Sequence, residues 1–293
     1  VPRLPGGNSL GSANTFPPLK SRYTRVVPTY RLTIEYDGTK FCGWQVQAQG
    51  RTVQGVLLAA LREVLGEAEA DLQGAGRTDA GVHALGQVAS LRCRRAVAPA
   101  RLLDELERTL PADVAVVAVQ PAPRSFHARH DATGRSYVYQ ISRRRSAFGK
   151  RVSWWIREPL ELGRMRAAAQ QFVGRHDFRA FVKRRSEQES TLVEVERGEV
   201  EEVGQVVLVR FLASHFLWNQ VRRMVGALVA VGRGEARVED VPRWLAGTAA
   251  PPPLAAPAAG LFLEAVRYPG EPRQLPPLRP LALPPPCATS GRW

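Results

Sequence analysis

The sequence predicts an α+β fold made of two successive β-α-β-β-α-β units, and three observations carry that expectation. Stretches whose apolar residues alternate with period two are interleaved with stretches of helical period. The order of interleaving is the same in both halves of the chain. No apolar run approaches the ~18 residues that a membrane-spanning helix needs. With 293 residues and 44% hydrophobic content, the chain reads as a soluble protein large enough for two modest cores.

In the first half, YRLTIEY (30–36) places Leu32, Ile34 and Tyr36 on one face of a strand. TVQGVLLAALREVL (52–65) puts Val53, Val56, Leu57, Ala60, Leu61, Val64 and Leu65 on one helical stripe, with Thr52 as the cap. DLQGAG (71–76) and QVASLRC (87–93) are two short strands around a glycine-rich loop. PARLLDELERTL (99–110) starts a helix on Pro99 and ends it before Pro111, and VAVVAV (114–119) is a buried strand. The second half repeats the order. RSYVYQIS (135–142) is a strand with Tyr137, Tyr139 and Ile141 on one face, and 161–173 is a helix. TLVEVERGEV (191–200) and QVVLVRFLA (205–213) are strands. A helix over 217–232 turns Leu217, Val221, Met224, Val225 and Leu228 inward, a short helix covers 238–246, and GLFLEAVRY (260–268) is the closing strand. Each half thus has the ferredoxin-like order, with mainly antiparallel sheets expected. The halves share this pattern and not their residues.

The expected units are 29–122 and 123–269. Residues 1–28 lack acids, carry Arg3, Lys20, Arg22 and Arg25, and read as a disordered extension, with an organelle transit peptide as the alternative. Residues 270–293 are proline-rich and read as a tail. Cys42, Cys93 and Cys287 are isolated, which argues against a disulfide scaffold and a zinc-cysteine site and for a reducing, cytoplasmic setting.

Charge gives the first functional clue. Forty-one Lys and Arg face 27 Asp and Glu, a net of +14, and only Lys20, Lys40, Lys150 and Lys183 are lysine. Residues 132–157 hold seven basic residues and no acid, and 203–234 hold four arginines and no acid. Segregation of this kind sets a positive field over particular surfaces, and arginine suits phosphate contacts and stacking on bases, so a polyanion is the expected partner.

GAGRTDAGVHALGQ (74–87) raises the question of chemistry. As a dinucleotide fingerprint it fails, because Asp79 stands where the third glycine belongs and a strand follows instead of a helix. Two readings remain open from the residues alone. One is a structural turn in which glycines supply positive φ and Asp79 caps locally. The other is an active-site loop whose carboxylate Arg77 pairs with and keeps ionised.

Six ordered blocks bear on the choice. GRTDAGVHALGQVA resembles the signature of the TruA-type tRNA pseudouridine synthases. YDGTKFCGWQVQ (36–47) with RTVQGVLLAAL (51–61), FHARHDATGRSYVY (126–139), HDFRAF (176–181) with Thr191, FLWNQVRRMVGALVAVG (216–232) and APAAGLFLEAVRY (256–268) resemble other family blocks in the family's order. The similarity spans about residues 30–268. It implies paired ferredoxin-like units with a catalytic cleft between them, and neither metal nor cofactor. It implies that Asp79 is the catalytic carboxylate, Arg77 and Arg222 (rather than Arg223) support it, and Tyr137 stacks on uracil and helps to remove its C5 proton. Arg129 and Arg135 are expected to contact phosphate, as are the runs Arg143, Arg144, Arg145 and Lys183, Arg184, Arg185. The implied substrate is uridine at tRNA positions 38, 39 or 40 in the anticodon stem-loop, flipped out of its stack and held by a homodimer.

Other readings stand beside these. His83 reads as a loop histidine bonded to backbone. His127, His130 and Asp131 invite a metal, but the spacing is a weak ligand pattern. Cys42 and Val46 depart from the basic or aromatic residues common in the family, which leaves contacts of that loop in question. An inert RNA-binding protein of the same fold is the competing function. A metal nuclease is disfavoured because no acid follows Asp79 before Asp104.

Overall fold

The computed structural model describes residues 27–66, 70–182 and 190–281. The first half runs β1 (Thr29–Tyr36), α1 (Val53–Leu65), β2 (Asp71–Gly74), β3 (His83–Arg92), α2 (Pro99–Thr109) and β4 (Val114–Pro121). The second runs β5 (Gly134–Ser142), β6 (Trp154–Trp155), α3 (Leu162–Gln171), β7 (Gly174–Asp177), β8 (Leu192–Val203), β9 (Val206–Ala213), α4 (Gln220–Gly232), α5 (Asp240–Leu245) and β10 (Leu261–Arg267). Both halves carry the expected order. The short strands β6 and β7 are additions, too brief for a periodic signal.

Local chemistry sets the element ends. The Thr52 hydroxyl accepts from the Gly55 N–H at the start of α1, and Gly66 ends that helix in the left-handed conformation at φ 63°. Pro99 opens α2, where its missing N–H leaves no helical bond unmade.

The strands form one sheet in the order β4-β1-β3-β10-β5-β9-β8-β7, with β2 also on β3 and β6 also on β5. Within it, β4-β1-β3-β2 and β10-β5-β9-β8 are each a ferredoxin-like sheet. Pairing inside each unit is antiparallel apart from β6 on β5. The units join where β10 runs parallel to β3 through Phe262↔His83 and Leu263↔Ala84. One edge of β3 therefore serves two partners. Residues 89–92 pair with β2, and 83–84 pair with β10. Residues 75–82 leave the sheet at this fork.

One continuous apolar cluster joins Leu32, Ile34, Leu57, Leu61, Leu102 and Leu106 of the first unit to Met165, Phe172, Phe211, Met224 and Leu228 of the second. The strands β5 and β9 are buried along their whole length, so both of their faces need cover. Residues 270–281 supply it on the second face, which corrects the expectation of a loose tail there. Leu278 packs on Val138, Val206 and Leu208. Arg210 donates to the Pro276 carbonyl at 2.7 Å, and the Gln140 amide bonds both the N–H and the carbonyl of Leu281. The rest of that segment, and residues 1–26, lie outside the described residues.

Candidate active site

The loop over 75–82 is fastened on several sides. Ala75 N–H continues the ladder to the Val88 carbonyl at 2.7 Å. The Gln87 side chain donates to the Gly76 carbonyl at 2.9 Å, and the Thr78 carbonyl accepts from Trp44 N–H at 3.1 Å. Segment 37–47 lies against the loop so closely that a Cβ at Gly43 (φ 105°) would stand 2.7 Å from the Thr78 carbonyl oxygen. A Cβ at Gly74 would stand 2.5 Å from the buried Trp44 ring. These glycines let the protein's own backbone and Trp44 approach. His83, buried at the head of β3, takes the Gly38 N–H on Nδ1, contacts the Arg151 carbonyl through Nε2 at 2.8 Å and stacks on Phe262. Burial lowers its affinity for a proton, with nearby Asp37 opposing. It is bonded to backbone, as the sequence suggested, but it begins a strand.

Three side chains from both halves converge on this loop. Asp79, about one-quarter exposed, faces Arg222 with Oδ2 to guanidinium nitrogen at 3.7 Å. Arg222 is aimed by its own bonds: Nε donates to the Ala256 carbonyl at 2.7 Å and a terminal nitrogen to Asn219 Oδ1 at 2.9 Å. Asn219, at φ 62°, stands immediately before α4 and spends its side-chain oxygen on Arg222 rather than on a helix N–H. Tyr137 sits mid-strand on β5, buried, with its ring edge-on to Phe216 at 5.3 Å between centroids. A Cβ placed on Gly76 would come 4.0 Å from the Tyr137 hydroxyl. Burial pushes the Tyr137 phenol well above its usual range, with Tyr36 and the Asp79 carboxylate adding to the shift. It is therefore a neutral phenol near an acid. A carboxylate, an aimed guanidinium and a buried aromatic ring with a hydroxyl can hold a planar base, hold charge beside a sugar and move a proton.

The family model described as tRNA pseudouridine synthase matches residues 32–131 and 168–269, which is most of the two ferredoxin-like units. The chain belongs to the tRNA pseudouridine synthase family. A tRNA pseudouridine synthase A of Azorhizobium caulinodans is 43% identical over 248 residues, covering 83% of this chain and 95% of that one. The protein of the same description from Beijerinckia indica is 43% identical over 84% of this chain and 95% of its own, and that from Nitrobacter hamburgensis 41% over 83% and 100%. A pseudouridine synthase is an isomerase that converts uridine to pseudouridine, here in tRNA.

For a synthase of RNA, the basic residues named from the sequence fall into different settings. Arg135 is buried, and its guanidinium donates to the carbonyls of Ala75, Arg129, Ala132 and Ser214 at 2.7–3.0 Å. A guanidinium so committed ties the loop's first residue to β5, which corrects the expectation that it grips phosphate. Arg129, Arg144 and Arg145 are exposed, and Arg145 lies over the Trp155 ring at 5.6 Å. Arg143 pairs with Glu202 in a shallow groove shared with Arg157 and Glu158. Lys183, Arg184 and Arg185 lie outside the described residues. Arg77 is exposed, two residues before Asp79. Nδ1 of the His127 ring accepts from the backbone N–H groups of Arg129 and His130, and the His127 backbone N–H donates to Asp131 Oδ2, so this cluster organises a turn. No group of metal-ligating side chains occurs among the described residues. No described helix is long and apolar enough to cross a membrane.

The expected helix over 217–232 begins three residues later, at Gln220, and the sequence does not single out Asn219, which holds Arg222. Sequence reasoning also missed Tyr36, Thr78 and Gln87 beneath the loop.

Proposed function

We propose that this protein isomerises uridine at positions 38, 39 and/or 40 of the tRNA anticodon stem-loop, with Asp79 as its catalytic carboxylate. The observation that carries the reading is the convergence of Asp79, Arg222 and Tyr137, drawn from both units, at the fork of β3. The overall reaction breaks N1–C1′, turns the uracil over and joins C5 to C1′. C5 loses a proton and N1 gains one, so atoms balance within the substrate. An ionised Asp79 either adds to C1′ or takes the 2′ proton, and both routes need its charge. Arg222, and Arg77 from the exposed side, favour that charge.

Tyr137 supplies the platform on which the flipped uracil stacks. Because its phenol stays protonated, it takes the C5 proton only while passing its own onward. The Asp79 carboxylate, near enough to act on the phenol electrostatically, is the acceptor, and passing that proton on to N1, directly or through water, returns Asp79 to its ionised form. Arg129, Arg144 and Arg145 grip phosphates around the site, as do Lys183, Arg184 and Arg185, with Arg143 joining them by exchanging Glu202 for phosphate. The tRNA is held by a homodimer in the cytoplasm, with no membrane and no small cofactor involved. The competing reading is an RNA-binding protein of the same fold without activity.

The test is incubation of the purified protein with an unmodified tRNA transcript carrying uridine at 38, 39 and 40, with and without excess chelator, followed by pseudouridine mapping. Conversion at one or more of these positions, with chain length unchanged and chelator without effect, supports the proposal. Intact uridine at all three despite tight binding supports the inert alternative, and a cut chain overturns both.

A further inference from the structure

A short segment between α5 and β10 touches Arg222 and the loop that carries Asp79. Arg222 and Ala256 are locked together twice. The Arg222 Nε donates to the Ala256 carbonyl at 2.7 Å, and the Ala256 N–H donates to the Arg222 carbonyl at 2.9 Å. The place of residue 256 therefore helps to decide where the guanidinium points. Two residues on, the Ala258 methyl carbon lies 3.3 Å from where a Cβ on Gly81 would stand. Gly81, at φ 78°, is two residues beyond Asp79. The segment 254–260 thus reaches from the arginine on α4 to the catalytic loop.

Two neighbours hold this segment. One is α4. A Cβ on Gly226, one turn along the helix from Arg222, would overlap the Leu254 carbonyl oxygen, so the close seat needs a residue without a side chain. The other is β5. Tyr139 is fully buried there, and its hydroxyl donates to the Pro257 carbonyl at 2.8 Å. The direction of that bond is fixed, because a carbonyl only accepts. A Cβ on Gly260 would stand 2.6 Å from the Tyr139 ring. Burial pushes the Tyr139 phenol far above its usual range, and the Arg222 charge is near enough to oppose the shift. The phenol stays a donor. Tyr139 shares a face of β5 with Tyr137, two residues before it, and the proposed chemistry gives it no task.

We infer that Tyr139 is a positioning residue: by holding the Pro257 carbonyl it fixes the segment 254–260 and, through the Ala256 carbonyl, the aim of Arg222 at Asp79. The Arg222–Asp79 separation of 3.7 Å is longer than a hydrogen bond, so the pair does not fix the guanidinium by itself. The aim comes from its supports, Ala256 at Nε and Asn219 at a terminal nitrogen. Of these, the Ala256 support depends on where the segment lies, and the neighbouring Pro257 carbonyl is where Tyr139 pins it. Tyr139 touches no substrate in this scheme; it acts through Arg222, whose part in the reaction rests on the function proposed above.

The test compares the full chain with Tyr139→Phe, Gly226→Ala, Arg222→Ala and the double variant Tyr139→Phe with Arg222→Ala. Single-turnover pseudouridine formation, tRNA affinity, thermal melting and hydrogen exchange of the Ala256 amide are measured on each. Tyr139→Phe keeps the ring and removes the donor, and Gly226→Ala suits the helix but pushes the segment away from it. Both should slow turnover at least about tenfold and speed exchange at Ala256, with tRNA affinity within about twofold. In the Arg222→Ala background, Tyr139→Phe should cost less than about a further twofold, because a residue that acts through the arginine has nothing left to position. A further tenfold loss there overturns the positioning role. So does parent turnover in folded Tyr139→Phe, or a loss confined to tRNA affinity. Unchanged exchange at Ala256 overturns the pin itself. If Tyr139→Phe fails to fold, Gly226→Ala decides, and parent turnover in that variant overturns the inference. Exchange at Ala256 is read without any turnover, which separates failure of this inference from failure of the catalytic assignment.

Discussion

The two units repeat one topology, and their central hairpins differ. In the second unit, β8 and β9 pair along their length to a turn at Gly204 (φ 61°), with Val203 facing Val206 across it. In the equivalent place of the first unit, β2 is only four residues long, pairing stops at Gly74↔Ala89, and residues 75–82 intervene before β3 begins at His83. Opening that hairpin does two things at once. It frees the start of β3 for β10, which joins the units, and it leaves a polar loop at the join. The tight hairpin is a scaffold element. The open one carries Asp79, within reach of Arg222 and Tyr137 from the other unit. Each unit has the complete ferredoxin-like strand order; only the pair of them, fused at the fork, brings the three side chains together.

Insertion puts the comparison under the greatest strain. Two glycines inserted after Gly76 should lower turnover about 10²-fold or more, because a shift of about an ångström in reacting groups is enough for that. The same insertion after Gly204 should leave turnover within about twofold, since lengthening a surface turn costs little loop entropy. Single-turnover rates and melting curves for both variants check this; equal damage at the two hairpins would erase the distinction. Next is Tyr137. Tyr137→Phe should keep tRNA binding and lose about 10²–10⁴ in product formation, as expected for a lost acid–base partner. Tyr137→Leu should also weaken the flipped state by about 1–3 kcal/mol of stacking, seen as weaker tRNA binding. Parent rates for Phe would leave Tyr137 a platform only. Arg222→Ala should slow turnover on the order of 10²-fold, through loss of an aimed charge at the carboxylate, with tRNA affinity changed less than turnover. An affinity loss that accounts for the whole effect would make Arg222 a phosphate contact. The smallest effect is expected from Arg143, Arg144 and Arg145 changed together to Gln. Binding should weaken several-fold, and the slope of log affinity against log salt should fall by about 2 to 3. An unchanged slope would make this run an ordinary solvated face.

Much of the fold was legible because its signals are local. The period of Leu32, Ile34 and Tyr36, the cap at Thr52 and the proline at Pro99 each mark an element from a few neighbouring residues. The two-residue strand β6 and the strand β7 were not legible, since such short pieces have no period and exist only through their neighbours. Nor was the use of Leu278 and Pro276 as a cover, because proline-rich composition describes a chain without a partner, and here the partner is the back of β5 and β9. The site divides along the same line. Asp79, Arg222 and Tyr137 were named through whole-block resemblance, which carries three-dimensional information that no spacing within one sequence holds. Arg135 was misread as a phosphate contact because its burial is fixed by four carbonyls distant in sequence or hidden by turns. Tyr36 and Gln87 escaped because strand alternation shows which face a side chain occupies and not what its polar tip meets.

The central claim is that the opened hairpin is where chemistry happens while the grip on RNA lies elsewhere. Asp79→Asn tests it most directly, since the two side chains have nearly the same shape and differ in charge. Single-turnover pseudouridine formation and tRNA affinity should be measured on the same preparation, with a tRNA substrate whose conversion by the parent is established. Product formation should fall below detection while affinity stays within a few fold. Substantial turnover by the purified variant would contradict the assignment of Asp79 as the catalytic carboxylate.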